Sequence, residues 1–209
     1  MAEVKVEIVS LGSIKQLSAT PNHLKHFQIS LLDAIATPPS FYLPIVLFYF
    51  AFDHDFSKLS QKLKTSLSQI LVPYYPFNGR IKTNKSNLYV DCNDEGVLYL
   101  EAGVPSKLSY FLKNNTNQQL NKIKGFLPLD PYKPKLDDEE DCLIMAVQVT
   151  ELGCGGIAIG VCISHKVCEA TSVASFLKAW PQKAMEEGSE VASSSPLNME
   201  ASLLFRPRA

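Results

Sequence analysis

A chain of 209 residues that is 46% hydrophobic and 10% aromatic is long enough for one domain with a sizeable core, which excludes disorder throughout. Its 20 basic and 21 acidic residues leave a net charge of -1 with no long basic run, so no electrostatic nucleic-acid surface is expected and the partners are small molecules or proteins. The N-terminus lacks the basic start and apolar block of a secretory signal, and 5 cysteines without framework spacing predict reduced thiols and a cytoplasmic location.

Val4, Val6 and Ile8 alternate with polar partners, as an edge strand does. The most apolar run, Phe41 to Phe52, is shorter than the roughly 20 residues of a membrane-spanning helix and contains Pro44. It reads as a buried strand, and no membrane partner is expected. Asp55 is placed to N-cap a helix in which Leu59, Leu63, Leu67, Ile70 and Leu71 recur at helical spacing, and Pro73 closes it. Tyr74–Arg80 reads as a structural turn, with Gly79 supplying backbone freedom and Arg80 a buried or bridging charge. Leu88–Val90 and Val97–Leu100 flank the turn-rich Asp91–Gly96 and predict a hairpin. Leu143–Val149 and Ile157–Ile163 predict two further apolar strands around Leu152–Gly156, and Thr171–Lys183 a helix despite Pro181. The expected fold class is therefore α/β, a mixed β-sheet flanked by helices, in one domain over residues 1–185. From Glu186 the chain turns to Gly188, Ser189 and Ser193–Pro196, so residues 186–209 read as a solvated linker.

One histidine, His165, stands where the apolar strand stops and the last helix starts, with the carboxylate of Glu169 four residues on. A strand end fixes the backbone and the break exposes the side chain, which suits a general base. On residues alone a strand-end histidine satisfied by backbone groups remains an open alternative. Ser164 adjoins His165, but neighbouring strand residues point to opposite faces, and Cys162 has the wrong parity for proton exchange. Cys168 escapes that parity argument, yet cysteines in such surroundings are mostly small buried hydrophobes. Cys154, Cys162, His165 and Cys168 make a nominal four-ligand set, but the apolar strand's alternation points them different ways, and no metal site is expected. His23, His26 and His54 have no partners at ligand spacing and are expected at the surface.

The segment His165–Ser172, with the preceding Gly155–Ser164, resembles the HxxxD region of the plant acyl-CoA-dependent acyltransferases called BAHD, in particular their vinorine synthase-like branch. Phe27–Asp33, Leu71–Arg80, Val90–Val97 and Val147–Thr150 fall in that family's order and spacing, so the resemblance runs from residue 1 to about 205. It implies a chloramphenicol acetyltransferase-like fold and one half of a two-domain architecture, with residues 186–209 starting the crossover to a second domain that carries the DFGWG segment. It also implies acyl transfer from acyl-CoA, a co-substrate rather than a bound cofactor, to a hydroxyl or amine of a specialised metabolite such as an alkaloid. His165 would be the catalytic base. Glu169, which stands where the family has Asp and pairs with an arginine of the other half, would hold the loop together with Gly155, Gly156, Ser164 and Ser172. Ser30 and Asp33 would belong to the acceptor pocket. The missing half predicts self-association or pairing with a second domain, and a catalytically silent binding module is the alternative function.

Overall fold

The computed structural model describes residues 5–30, 41–50, 55–84, 87–112, 122–131, 142–168 and 170–185. The chain forms nine strands among these residues: β1 (Glu7–Ile14), β2 (His26–Gln28), β3 (Tyr42–Tyr49), β4 (Arg80–Asn84), β5 (Asn87–Asp91), β6 (Val97–Val104), β7 (Cys142–Leu143), β8 (Met145–Leu152) and β9 (Ile157–Ser164). Three α-helices accompany them: α1 (Phe56–Ile70), α2 (Leu108–Leu112) and α3 (Ala170–Met185).

The expected single sheet is two sheets. One runs β1-β6-β8-β9-β3 and the other β2-β5-β4-β7. In the five-stranded sheet β6 and β8 are parallel and every other pair is antiparallel. The period of two along β9 sends alternate residues to two covered faces, and all eight residues are buried. Ile157, Ile159, Val161 and Ile163 join the main core with Leu63, Leu67, Phe176 and Trp180 of the helices. Ala158 packs on the opposite face with Val104, Leu108, Phe111, Phe126 and Leu152. Gly160 on that same face has no room for a side chain, because a Cβ would overlap the carbonyl oxygen of Phe126.

Helix α1 starts where its capping residue predicts: the Asp55 carboxylate accepts the Ser57 N–H at 2.9 Å. Its apolar stripe meets α3 through Trp180, whose Nε1 donates to Leu63 O at 3.2 Å and Ser66 Oγ at 3.1 Å. Phe176 packs edge-on against Tyr74 and Phe77, each with centroids 5.4 Å away. Pro181 is accommodated inside α3.

Four sequence expectations need correction. The hairpin across Asp91–Gly96 does not form: β5 pairs with β2 and β4, whereas β6 pairs with β1 and β8 in the other sheet. Positive φ at Asp94 (60°) and Gly96 (101°) turns the chain from one sheet to the other, which uses the same turn residues as a hairpin. The hairpin in this region is β4–β5, closed at the Asn84 and Asn87 pair. The run from Phe41 is not a buried strand but a half-buried edge strand paired only with β9, and an edge tolerates Pro44. The predicted strand over 143–149 breaks at Ile144, so that β7 joins the four-stranded sheet and β8 the five-stranded one. Finally, Gly79 has an extended backbone, φ -96° and ψ -163°. Its need for glycine is close approach, since a Cβ would collide with Asp91 O. The predicted edge strand is β1, shifted to begin at Glu7; Val6 packs against the second core cluster, while Val4 lies outside the described residues.

Candidate functional site

Ser164 ends β9 opposite Tyr42 of β3, and the ladder continues one step further. The His165 N–H donates to Phe41 O at 3.0 Å, and the Val167 N–H closes a turn on Ser164 O at 3.2 Å. His165 is half-buried at this break, while Ser164 and Lys166 on either side are buried. The imidazole faces the Phe41 ring at a centroid distance of 6.4 Å and an interplanar angle of 45°. A fixed backbone and an accessible imidazole are the two requirements of a proton acceptor for an incoming substrate group.

The neighbouring thiols are sequestered. Burial pushes Cys162 up to about 11, opposed in part by its hydrogen bond with Leu129, and Asp130 nearby raises it further. Cys168 is 6% exposed, with its Sγ 3.7 Å from Ser164 O. Cys162 therefore holds little thiolate at neutral pH, and Cys168 is too buried to meet a substrate that must arrive from solvent. Cys154 sits in the β8–β9 turn, at the opposite end of β9 from His165, so the nominal four-ligand set is not assembled. Among the described residues no group of three or more His, Cys, Asp or Glu side chains could hold a metal ion.

The remaining sequence-derived residues divide by location. Ser172 is buried in the first turn of α3, next to the loop that His165 opens. Gly155, with φ 79°, and Gly156 shape the β8–β9 turn instead: Gly155 N–H donates to Leu152 O and Leu152 N–H to Gly156 O. The eight residues of β9 separate them from His165 by roughly 25 Å. They lie in the turn that leads into the strand carrying the histidine, at its far end. Ser30 is buried two residues past β2, which is an outer strand of the four-stranded sheet. Glu169 and Asp33 lie outside the described residues, as do His54 and the segment 186–209. His23 and His26 are exposed, as expected, and His26 stacks on Tyr89 at 4.2 Å. No spacing rule could have linked Phe41 to His165, because a long-range strand pairing brings them together.

A profile of the family described as "Transferase family" matches residues 4–209. Akuammiline synthase 2 of Alstonia scholaris is 41% identical over 210 residues, covering 98% of this chain and 43% of the relative. Stemmadenine O-acetyltransferase of Catharanthus roseus is 41% identical over 190 residues, covering 88% of this chain and 42% of the relative. The crystal structure of vinorine synthase superposes with a TM-score of 0.82 at 37% identity, over 98% of this chain and 48% of that one. TRI101 of F. graminearum, crystallised with coenzyme A and T-2 mycotoxin, shares the fold at a TM-score of 0.59 and 11% identity, over 85% of this chain and 41% of that one. The chain thus spans less than half the length of these relatives. Among the described residues no helix is long and apolar enough to cross a membrane.

Proposed function

Because the chain belongs to the Transferase family of BAHD acyltransferases, we propose that it supplies the acceptor-activating half of an acyl-CoA-dependent acyl transfer, with His165 as the general base. The observation that carries this reading is the half-buried imidazole held at the end of a fully buried strand, beside the buried side chains of Cys162 and Cys168. The acceptor is a hydroxyl or amine of a plant specialised metabolite such as an alkaloid, by analogy with the O-acetyl transfer in the name of the Catharanthus relative. We take the donor to be an acyl-CoA, as the resemblance of the His165 segment implies, and the coenzyme A crystallised with TRI101, a protein of the same fold, is in keeping with that reading. The five free cysteines suit a reducing, cytoplasmic compartment.

In this mechanism neutral His165 takes the proton from the acceptor as its oxygen or nitrogen attacks the thioester carbonyl carbon. The C–S bond of the tetrahedral adduct then breaks. The imidazolium returns the proton to the departing CoA thiolate, so the histidine ends neutral and no acyl-enzyme forms. Base catalysis of this kind is worth about 10²- to 10⁴-fold. The chain joined to the remainder of vinorine synthase should release CoA thiol from acetyl-CoA and an alcohol acceptor. His165→Ala should slow that release by at least about 100-fold, and equal rates would remove the general-base assignment.

A second reading keeps the fold and the acceptor-facing surface without the chemistry. In that case the chain binds a small acceptor molecule or a second domain without turnover. Calorimetric binding of an alkaloid alcohol, unaffected by His165→Ala and unaccompanied by thiol release, would favour the silent module.

A further inference from the structure

We infer that Phe41 is a positioning residue for the His165 imidazole, a role that rests on the general-base reading of His165. The last register pair of the β3–β9 ladder is Tyr42 with Ser164, so both Phe41 and His165 lie one residue beyond regular strand. The His165 amide is fixed there by the Phe41 carbonyl at 3.0 Å, on the one strand that neighbours β9 on that side. This bond holds the backbone only. A half-exposed histidine in a turn is otherwise free to sample three staggered χ1 wells and two broad χ2 orientations.

The aromatic ring restricts that freedom. Its centroid is 6.4 Å from the imidazole centroid and its plane is tilted by 45°, so it fills one side of the space through which the imidazole would turn. Among the described residues the ring belongs to neither core cluster. Along β3 the residues Leu43, Ile45 and Tyr49 join the main core cluster and Val46 and Phe48 the second, whereas Phe41 is in neither. It remains half-buried at the strand's mouth. An aromatic side chain outside both cores and against the proposed base is best explained by what it does to that base. Restricting six orientations toward one concentrates the productive imidazole by at most about sixfold, which sets the size of the expected effect.

The test compares Phe41→Ala, Phe41→Leu and Phe41→Tyr in the 209-residue chain. Carbethoxylation of His165 by diethyl pyrocarbonate is followed by peptide mass spectrometry, with the exposed His23 and His26 as internal references. Removing the ring should raise His165 labelling relative to these references by about three- to sixfold, with Phe41→Tyr restoring the parent ratio. Phe41→Leu provides the same comparison should the alanine variant fold poorly. In the chain joined to the remainder of vinorine synthase, Phe41→Leu should lower kcat by a similar factor while leaving KM for acetyl-CoA unchanged. An unaltered labelling ratio in both truncated variants overturns the inference. So does a loss expressed in KM alone. Labelling that responds to Phe41 while His165→Ala leaves transfer intact supports the positioning and removes only the general-base reading.

Discussion

Arg80 behaves as a rivet more than as a surface charge. Its Nη1 donates to Gly79 O at 2.8 Å and Gly96 O at 3.1 Å, and its Nε meets Glu95 Oε2 at 3.0 Å. The Arg80 side chain is 12% exposed and that of Glu95 53%, so the carbonyl bonds matter more than the solvent-screened ion pair. Arg80→Ala leaves two carbonyls short of a donor and should cost about 2–3 kcal/mol. For a chain of this size that lowers Tm by roughly 4–12 °C, and a loss of activity at unchanged Tm would contradict the structural role. At Gly160 the added methyl of Gly160→Ala meets backbone, the carbonyl of Phe126, which cannot rotate aside as a side chain would. Either the 122–131 segment or β9 must shift. Overpacking typically costs about 1–3 kcal/mol, so calorimetry should find Tm lowered, and an unchanged Tm would mean that this face of the sheet is looser than its geometry. Arg80 was legible in the sequence as a charge among turn and apolar residues. The close contacts at Gly79 and Gly160 were not, because only the approach of a distant backbone creates them.

Helix α1, β1 and β6 are joined at Glu101. Burial alone would raise its carboxyl, but Lys64 Nζ at 2.7 Å and the hydroxyls of Ser10 and Ser60 outweigh that and bring it down from 4.5 to about 2. A carboxylate depressed in the folded state stabilises the protein fully above its unfolded value, and the contribution is lost as pH falls from 4.5 toward 2. Glu101→Gln should therefore flatten the dependence of unfolding free energy on pH across that window; an acid limb identical to the parent's would show that the network does not act through Glu101. At the start of the same helix, Asp55→Ala should cost about 1 kcal/mol in chemical denaturation through loss of the Ser57 cap. Elements whose pattern is local were readable from sequence: α1 from its leucine spacing and cap, α3 from its apolar run, and β8 and β9 as an apolar pair. What was not readable is partnership. The Asp91–Gly96 turn has hairpin chemistry, and no local signal says that its flanking strands belong to different sheets. His165 was visible as the end of a strand, whereas Phe41 became part of the site only through the β3–β9 pairing.

Between the two sheets of the described residues, Tyr42 of β3 reaches Leu143 of β7. The Tyr42 hydroxyl donates to Leu143 O at 2.8 Å, and burial, reinforced by Cys142 and Cys162, keeps the phenol protonated and available as a donor. Tyr42→Phe should cost about 1–3 kcal/mol, read as a lower midpoint in urea with an unchanged slope. At the opposite margin β1 leaves Ile8, Val9 and Leu11 at 49%, 76% and 69% exposed along a free sheet edge, relieved only by a bulge between Ile8 and Ser10. The isolated chain is expected to self-associate with rising concentration in light scattering, and Leu11→Lys to shift it toward monomer; a parent that stays monomeric would show that the bulge is protection enough. The single partnership of β3 also has a consequence for biosynthesis. Among the described residues its apolar sequence Tyr-Leu-Pro-Ile-Val-Leu-Phe-Tyr pairs only with β9, which the ribosome adds more than a hundred residues later. At translation rates of about 5–20 residues per second that strand waits on the order of ten seconds without its neighbour, long enough for a holdase to bind it first. The turn bearing His165 is thus among the last parts of the domain to be assembled, and a nascent chain stalled before β9 would present β3 to the folding machinery.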